Sequence, residues 1–392
     1  MSETITFPDG FLWGTATAAH QVEGGNWNND WWEWEHDPGS PTVDVSGDAC
    51  DHLWRYPADI AVLADLGFGA YRFSLEWSRI EPEEGEFSTA ALDHYRRMIA
   101  ATLDHDLVPV VTFHHFTTPR WATADGGWES PATPERFARF CERATAHLGD
   151  VIGMACTINE PNVVAVMGYL LAHFPPGVSD GARYLRANEQ MLRGHRLGYE
   201  AIKAGRGDFP TGMTLSMQEY DCEPGGEELM ERSRHSSEDV FLDAARGDDF
   251  LGAQMYTRLR FGPDGLVGPP PGATTTIMGY EFRPESLEHC VRRAAELAAV
   301  PIYVTENGIA ATDDAERVEY VTEALRGVRR CLDDGIDVRS YFYWSLLDNF
   351  EWSEGYGPTF GLIGIDRATQ ERHVRPSARW LGDIARSNMM RA

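Results

Sequence analysis

The stretch Val300-Pro-Ile-Tyr-Val-Thr-Glu-Asn-Gly308 decides how the rest of the chain is read. Its apolar part, 300–304, has the length and composition of a short buried strand, and Asn307-Gly308 reads as a turn. A carboxylate, Glu306, therefore stands where a strand ends. If the strand belongs to a parallel barrel, that end is the face on which active sites are built, and Glu306 becomes a working residue. A second apolar run, 152–158, closes in the same way on Thr157-Ile-Asn-Glu-Pro161, where Pro161 prevents the strand from continuing. Two strand-end carboxylates, Glu160 and Glu306, are the minimal equipment for cleaving a glycosidic bond.

Working outward, short apolar or β-branched runs recur along the whole chain, at 11–15, 70–75, 107–113, 152–158, 212–217, 250–253, 300–304 and 338–344. Helical spacing separates several of them. Val318, Val321, Leu325, Val328 and Leu332 lie three or four apart and stop at Gly335; Leu287, Val291, Ala294 and Ala298 lead into the Glu306 strand. Pro57, Ile60, Leu63 and Ala64 with Gly67 predict a third helix, Pro57 opening it and Gly67 ending it. Strands alternating with helices imply parallel pairing through right-handed crossovers, so the expected fold is α/β, a single (β/α)8 TIM barrel spanning residues 1–392 with its site at the C-terminal strand ends. A doubly wound open sheet is the rival, but no Gly-x-Gly-x-x-Gly follows the first strand and there is no P-loop. The Gly/Pro-rich piece 262–272 is expected to be a long loop on the active-site face, and the acidic piece 223–239 a solvated loop and helix surface.

Composition excludes several partners. Lys and Arg number 34 against 61 Asp and Glu, a formal charge of −27, which argues against nucleic acid and anionic membrane and disfavours phosphorylated substrates. The six cysteines form no Cys-x-x-Cys pair, so neither a zinc cluster nor a disulfide framework is signalled. No basic-then-apolar leader opens the sequence, and no stretch approaches the ~18 apolar residues of a membrane span. A cytoplasmic protein is expected. His114-His115 invites a metal reading, but neighbours on a strand point to opposite faces, so no metal site is expected. No cofactor motif is present.

Four stretches taken together resemble family 1 of the glycoside hydrolases, the β-glucosidase and β-galactosidase family of retaining enzymes on a (β/α)8 barrel. They are Phe11-Leu-Trp-Gly-Thr-Ala-Thr-Ala-Ala-His-Gln-Val-Glu-Gly24, Thr157-Ile-Asn-Glu-Pro161, Val304-Thr-Glu-Asn-Gly308 and Trp344-Ser-Leu-Leu-Asp-Asn-Phe-Glu-Trp352, in the family's order and across nearly the whole chain. The resemblance implies that Glu306 is the nucleophile and Glu160 the general acid/base, supported by Arg72, Asn159 and Tyr256. It places Gln21, His115, Phe116, Glu351 and Trp352 against the sugar, with Trp344 as the platform under the ring. The residue types suit those roles. Hydroxyls need amide, imidazole and carboxylate partners, and the C–H face of a pyranose stacks on an indole. Arg72 would favour ionised Glu306, while a neighbouring carboxylate would keep the proton on Glu160. In the branch of the family that takes 6-phosphosugars, a serine and a basic residue replace what is here Glu351 and the loop Ser353 to Thr359, which has no Lys or Arg. An unphosphorylated glycone follows, and the presence of Glu160 points to O-glycosides rather than thioglucosides.

Several positions depart from the family pattern, among them the segment 26–34, which is richer in aromatics, and His114-His115-Phe116-Thr117-Thr118-Pro119 where the family usually reads Tyr-His-Trp-Asp-Leu-Pro. Phe116 stands where the family usually has tryptophan, removing an indole N–H, and Gln254-Met255-Tyr256 replaces Asn-Tyr-Tyr. The expected activity is hydrolysis of unphosphorylated O-linked β-glycosides or oligosaccharides through a covalent glycosyl-enzyme. Rival readings are a transglycosylase, whose products would grow with added acceptor, and a non-catalytic carbohydrate-binding protein, which would be free to lose Glu160, Glu306 or Arg72.

Overall fold

The computed structural model describes residues 4–391. Eight strands close a barrel in chain order: β1 (Leu12–Ala16), β2 (Ala70–Ser74), β3 (Val108–His115), β4 (Met154–Asn159), β5 (Thr211–Ser216), β6 (Phe250–Met255), β7 (Ile302–Asn307) and β8 (Val338–Trp344). Every neighbouring pair is parallel, including β8 with β1. All eight predicted runs are barrel strands, and the expected TIM barrel is the fold. An antiparallel pair, Thr4–Thr6 with Met389–Arg391, brings the two ends of the described chain together.

Two packed regions follow from strand alternation. Seven strand residues, Ala70, Val110, Met154, Cys156, Phe250, Tyr303 and Phe342, fill the lower barrel interior. The other strand faces meet the helices in one continuous core that includes Ile302, Val304, Leu287, Val291, Val321 and Val328. The helices Ser286–Ala298 and Asp314–Asp333 fall where the periodicity predicts them. The third starts earlier than predicted. It runs His52–Leu66 with Pro57 inside it, so proline costs one backbone hydrogen bond there instead of opening the helix. Gly67 does end it, at φ 101°, with its N–H on the Ala64 carbonyl.

Strict alternation would aim both carboxylate-bearing strands wrongly. Ile302 and Val304 face the helices, so Glu306, two further on, should too; a register shift between Val304 and Glu306 against β6 turns it inward. In β4 the inward residues are Met154 and Cys156, and a shift between Cys156 and Asn159 against β5 likewise brings Asn159 to the inside. Two inserted residues therefore redirect the polar ends of two otherwise apolar strands.

The loops correct three local readings. Residues 262–272 do lie between β6 and its helix, but as part of a small sheet. Arg258–Gly262 pairs antiparallel with Gly265–Val267 and parallel with Glu219–Cys222 from the loop after β5. Within 223–239 the helix Glu227–Arg234 buries nothing, as expected, but the wide turn His235–Asp239 carries Glu238 fully inside, where its carboxylate accepts the Gln218 N–H at 2.7 Å. Burial pushes that carboxyl up to about 8. Nor is Asn307-Gly308 a turn. Asn307 is still in β7, and Gly308 is required by crowding, since a Cβ there would lie 2.1 Å from the Trp344 carbonyl oxygen.

That crowding is testable. Gly308→Ala should force β7 and β8 apart at their upper ends, costing ~1–3 kcal/mol. Thermal unfolding should show a lower Tm; an unchanged Tm would mean that the backbones are not packed this closely.

Candidate active site

The strand ends bring the predicted residues to one place. Arg72 comes from β2, His115 from β3, Asn159 from β4, Glu306 from β7 and Trp344 from β8; Phe116, Glu160 and Tyr256 each stand one residue beyond a strand. Gln21 comes from the single turn Ala19–Val22 above β1, and Glu351 and Trp352 from the loop after β8. Three of these residues hold left-handed backbone without being glycine: Phe116 at φ 68°, Glu160 at 44° and Trp352 at 52°. Such conformations cost ~1–2 kcal/mol per residue and persist where surrounding packing imposes them. For Glu160 the constraint is visible: Thr214 accepts its N–H at 2.8 Å, and the helix Pro161–Ala165 starts immediately after it.

The centre of the site is the fully buried Arg72. Its Nη1 donates to Glu306 Oε1 at 2.5 Å, its Nη2 to Asn159 Oδ1 at 2.5 Å and to Thr214 Oγ1 at 3.3 Å, and its Nε to Thr112 Oγ1 at 3.1 Å. The second Glu306 oxygen accepts the Tyr256 hydroxyl at 2.6 Å. Asn159 Nδ2 donates to His115 Nε2 at 3.1 Å. His115 must therefore carry its proton on Nδ1, and burial beside Arg72 keeps the ring neutral by holding its pKa well below the usual value. The imidazole lies between the rings of Trp344 and Trp352, at centroid distances of 5.9 and 6.2 Å.

The two carboxyls are not equivalent. Burial raises Glu160 well above the carboxylate range, and the charge of Glu306 adds to this; Arg72 and Ser216 oppose it. Burial also raises Glu306, but there Arg72, the Tyr256 hydroxyl and the Gln254 carboxamide all favour the ionised form. Arg72 thus limits the rise without reversing it, as the sequence reading had not anticipated. The order of ionisation is still the expected one, Glu306 first and Glu160 second. Glu351 is pushed up to about 8 by burial and by Glu306, against hydrogen bonds from Trp344 and Gln21.

Several buried polar atoms have no partner within the protein: Gln21 Oε1, His115 Nδ1, Glu160 Oε1 and Gln254 Oε1. In a folded protein such atoms call for an explanation, and a ring of them beside two indoles suits a polyhydroxylated ligand. Phe116 keeps an aromatic face but spends it on packing, with its ring 4.9 Å from Trp352 and 5.7 Å from Phe174. The histidine pair separates as expected of a strand, His114 accepting from Trp128 Nε1 at 3.3 Å while His115 faces the site.

Sequence reasoning missed four participants. Thr112 and Thr214 hold Arg72, and Ser216 stabilises ionised Glu160, but single hydroxyls inside strands carry no motif. Tyr280 feels the charges of Glu351 and Glu160 from the β6 loop, where only glycine and proline attracted notice.

Comparison with known proteins shows the family. Residues 3–259 and 268–390 match the profile of glycosyl hydrolase family 1. The thermostable beta-glucosidase B of Thermobispora bispora is 35% identical over 99% of this chain and 92% of its own. The crystal structure of beta-glycosidase BGL167 superimposes with a TM-score of 0.92 at 48% identity over 97% of each chain. The family 1 β-glucosidase of Thermotoga maritima gives 0.94 at 29% identity over the full length of both. A profile match across nearly the whole chain, relatives above 30% identity and a shared barrel lead to one conclusion: the chain belongs to glycosyl hydrolase family 1, the retaining enzymes of β-glucosidase type.

Proposed function

We propose that this protein hydrolyses unphosphorylated O-linked β-glycosides, β-glucosides first and β-galactosides or β-fucosides with them, by double displacement, as one catalytic domain over residues 1–392. The observation that carries the reading is the asymmetry of the two carboxyls. Glu306 is clamped by Arg72 and Tyr256, which favour its ionised form against burial, while burial and the charge of Glu306 raise Glu160 well above the carboxylate range and its Oε1 is free of protein partners.

In the first step Glu306 attacks the anomeric carbon as the bond to the aglycone oxygen breaks, and Glu160 gives its proton to that oxygen. Glu306 becomes an ester and loses its charge. The Coulomb contribution holding the proton on Glu160 disappears with it, so Glu160 is left ionised and able to take a proton from water. That water attacks the same carbon from the opposite side to the ester, restoring Glu306 and the original anomeric configuration. Asn159 is suited to the 2-hydroxyl, Gln21, His115 and Glu351 to the remaining hydroxyls, and Trp344 to the apolar ring face. Glucosidase activity is supported by the relatives' names, and a fucosidase by a bifunctional β-D-glucosidase/β-D-fucosidase of Bifidobacterium breve, 30% identical over 96% of this chain. Six free cysteines support a reducing, cytoplasmic setting; among the described residues no helix is long and apolar enough to cross a membrane.

The case for an unphosphorylated glycone changes in its physics. Glu351, at about 8, is mostly neutral near pH 7, so its own charge repels a phosphate little. What disfavours phosphate is the lack of any Lys or Arg in 353–359, next to a glutamate that cannot supply a counter-charge in either protonation state.

Two measurements check this reading. Aryl β-D-glycosides varied in the sugar should be turned over by wild type, and Glu306→Ala should lower that rate by roughly 10³-fold or more. Azide should restore turnover, giving the α-glycosyl azide; unaided activity in the variant would end the assignment. The second concerns stability. The folded Glu351 carboxyl, at about 8, lies above its ordinary value of 4.5, so its contribution is fully present below the lower value and is lost as pH rises through the higher one. Glu351→Gln cannot ionise, and its Tm relative to wild type should climb between pH 5 and pH 8. A pH-independent difference would show that Glu351 titrates normally.

A further inference from the structure

Gln254 is one of the departures from the family pattern, and nothing in the mechanism above requires it. It is fully buried in β6, level with Glu306 on β7 and with Ser216 on β5. Its Nε2 donates to Asn159 Oδ1 at 3.1 Å, reaching past β5 to β4. It is also close enough to Glu306 to favour that group's ionised form.

We propose that Gln254 is a positioning residue, whose carboxamide ties Asn159 and Glu306 together and holds both in the orientation the nucleophile needs. The inference rests on the assignment of Glu306 above. Orientation comes first. Asn159 Oδ1 takes donors from Arg72 at 2.5 Å, Thr214 at 3.0 Å and Gln254 at 3.1 Å, so the Asn159 amide can face only one way, with Nδ2 toward His115. The Gln254 amide is fixed by the same logic. Flipped, it would set Oε1 against the Asn159 carbonyl and the Glu306 carboxylate, both electron-rich. It therefore donates to Asn159 Oδ1, turns its N–H side toward Glu306 across the strand pair and leaves Oε1 without a protein partner.

Reach comes second. Asparagine, the residue usual here in the family, is shorter by one methylene, a bond of ~1.5 Å. From the same Cα it would leave the 3.1 Å contact beyond hydrogen-bonding distance. The extra methylene is what lets one side chain span from β6 to β4. Other charged and titratable groups near Glu306 are Arg72, Tyr256, Glu160, Glu351 and Cys156; Tyr256 is a second neutral donor to Glu306, but none of them bonds Asn159 from β6.

The test is the pH dependence of kcat/KM on an aryl β-D-glucoside for wild type, Gln254→Leu and Gln254→Asn. Leucine keeps the bulk and removes the donor; asparagine keeps the amide and loses the reach. Both should move the acid limb, which reports Glu306, to higher pH by ~1 unit and lower kcat about tenfold with a smaller change in KM. An acid limb at the wild-type position in a folded Gln254→Leu or Gln254→Asn protein overturns the proposal, and if one variant does not fold the other reads the same quantity. Azide rescue of Glu306→Ala separates the two levels. With rescue and an unmoved limb only the role of Gln254 fails, whereas without rescue the assignment of Glu306 fails first.

Discussion

A guanidinium with no solvent exposure is the constraint on which the rest of this site depends. Removing a cation from water costs several kcal/mol unless it is paired and its remaining protons are bonded, and breaking such a pair costs ~3–5 kcal/mol. Arg72 meets that demand by bonding to β3, β4, β5 and β7 at once, through Thr112, Asn159, Thr214 and Glu306. The interaction works in both directions. Arg72 needs an anion, which favours the ionised form of Glu306 against burial, and Glu306 needs a cation, which makes Arg72 tolerable in the barrel. The charge state that the proposed nucleophile needs is also the one that satisfies the buried guanidinium.

Much of this was legible in the sequence because a barrel is repetitive. Each of the eight strands is a short apolar run bounded by a change of pattern, and three of the helices between them repeat their apolar residues every three or four positions. Glu160 and Glu306 stood out as carboxylates ending apolar strands. What the pattern could not show depends on partners distant in sequence. Gly308 looks like a turn glycine until the Trp344 carbonyl is seen against it, and Glu238 looks solvated until a wide turn carries it beneath Gln218. Pro57 looked like the start of a helix because proline is tolerated there, yet the helix begins a turn earlier and absorbs the lost bond.

The register shifts explain why alternation alone would mislead. Apolar strands buried on both faces read as near-continuous hydrophobic runs, so nothing in Ile302 to Val304 says which residue faces inward. The one extra residue in β7 and the one in β4 appear only when the neighbouring strands are laid beside them. They sit immediately below the polar residues, where a strand must stop filling the lower barrel and begin presenting a carboxylate and an amide. The lower interior is packed with Cys156, Tyr303 and Phe342, and the level above it holds Arg72, Asn159 and Glu306.

Burial also explains how two like groups come to differ. Both glutamates are desolvated, so both are pushed toward the protonated form, and the donors around each, with the charge of Glu306 acting on Glu160, decide which gives up its proton. Glu306 has three: a guanidinium, a phenol and a carboxamide. Glu160 has a single hydroxyl and an unpaired oxygen. Under the proposed mechanism, a site that bonded both carboxyls fully would leave no proton for a departing aglycone, and one that bonded neither would leave no nucleophile. The difference between the two sets of donors separates the two carboxyls, and each donor stands on or next to a strand whose position the barrel already determines.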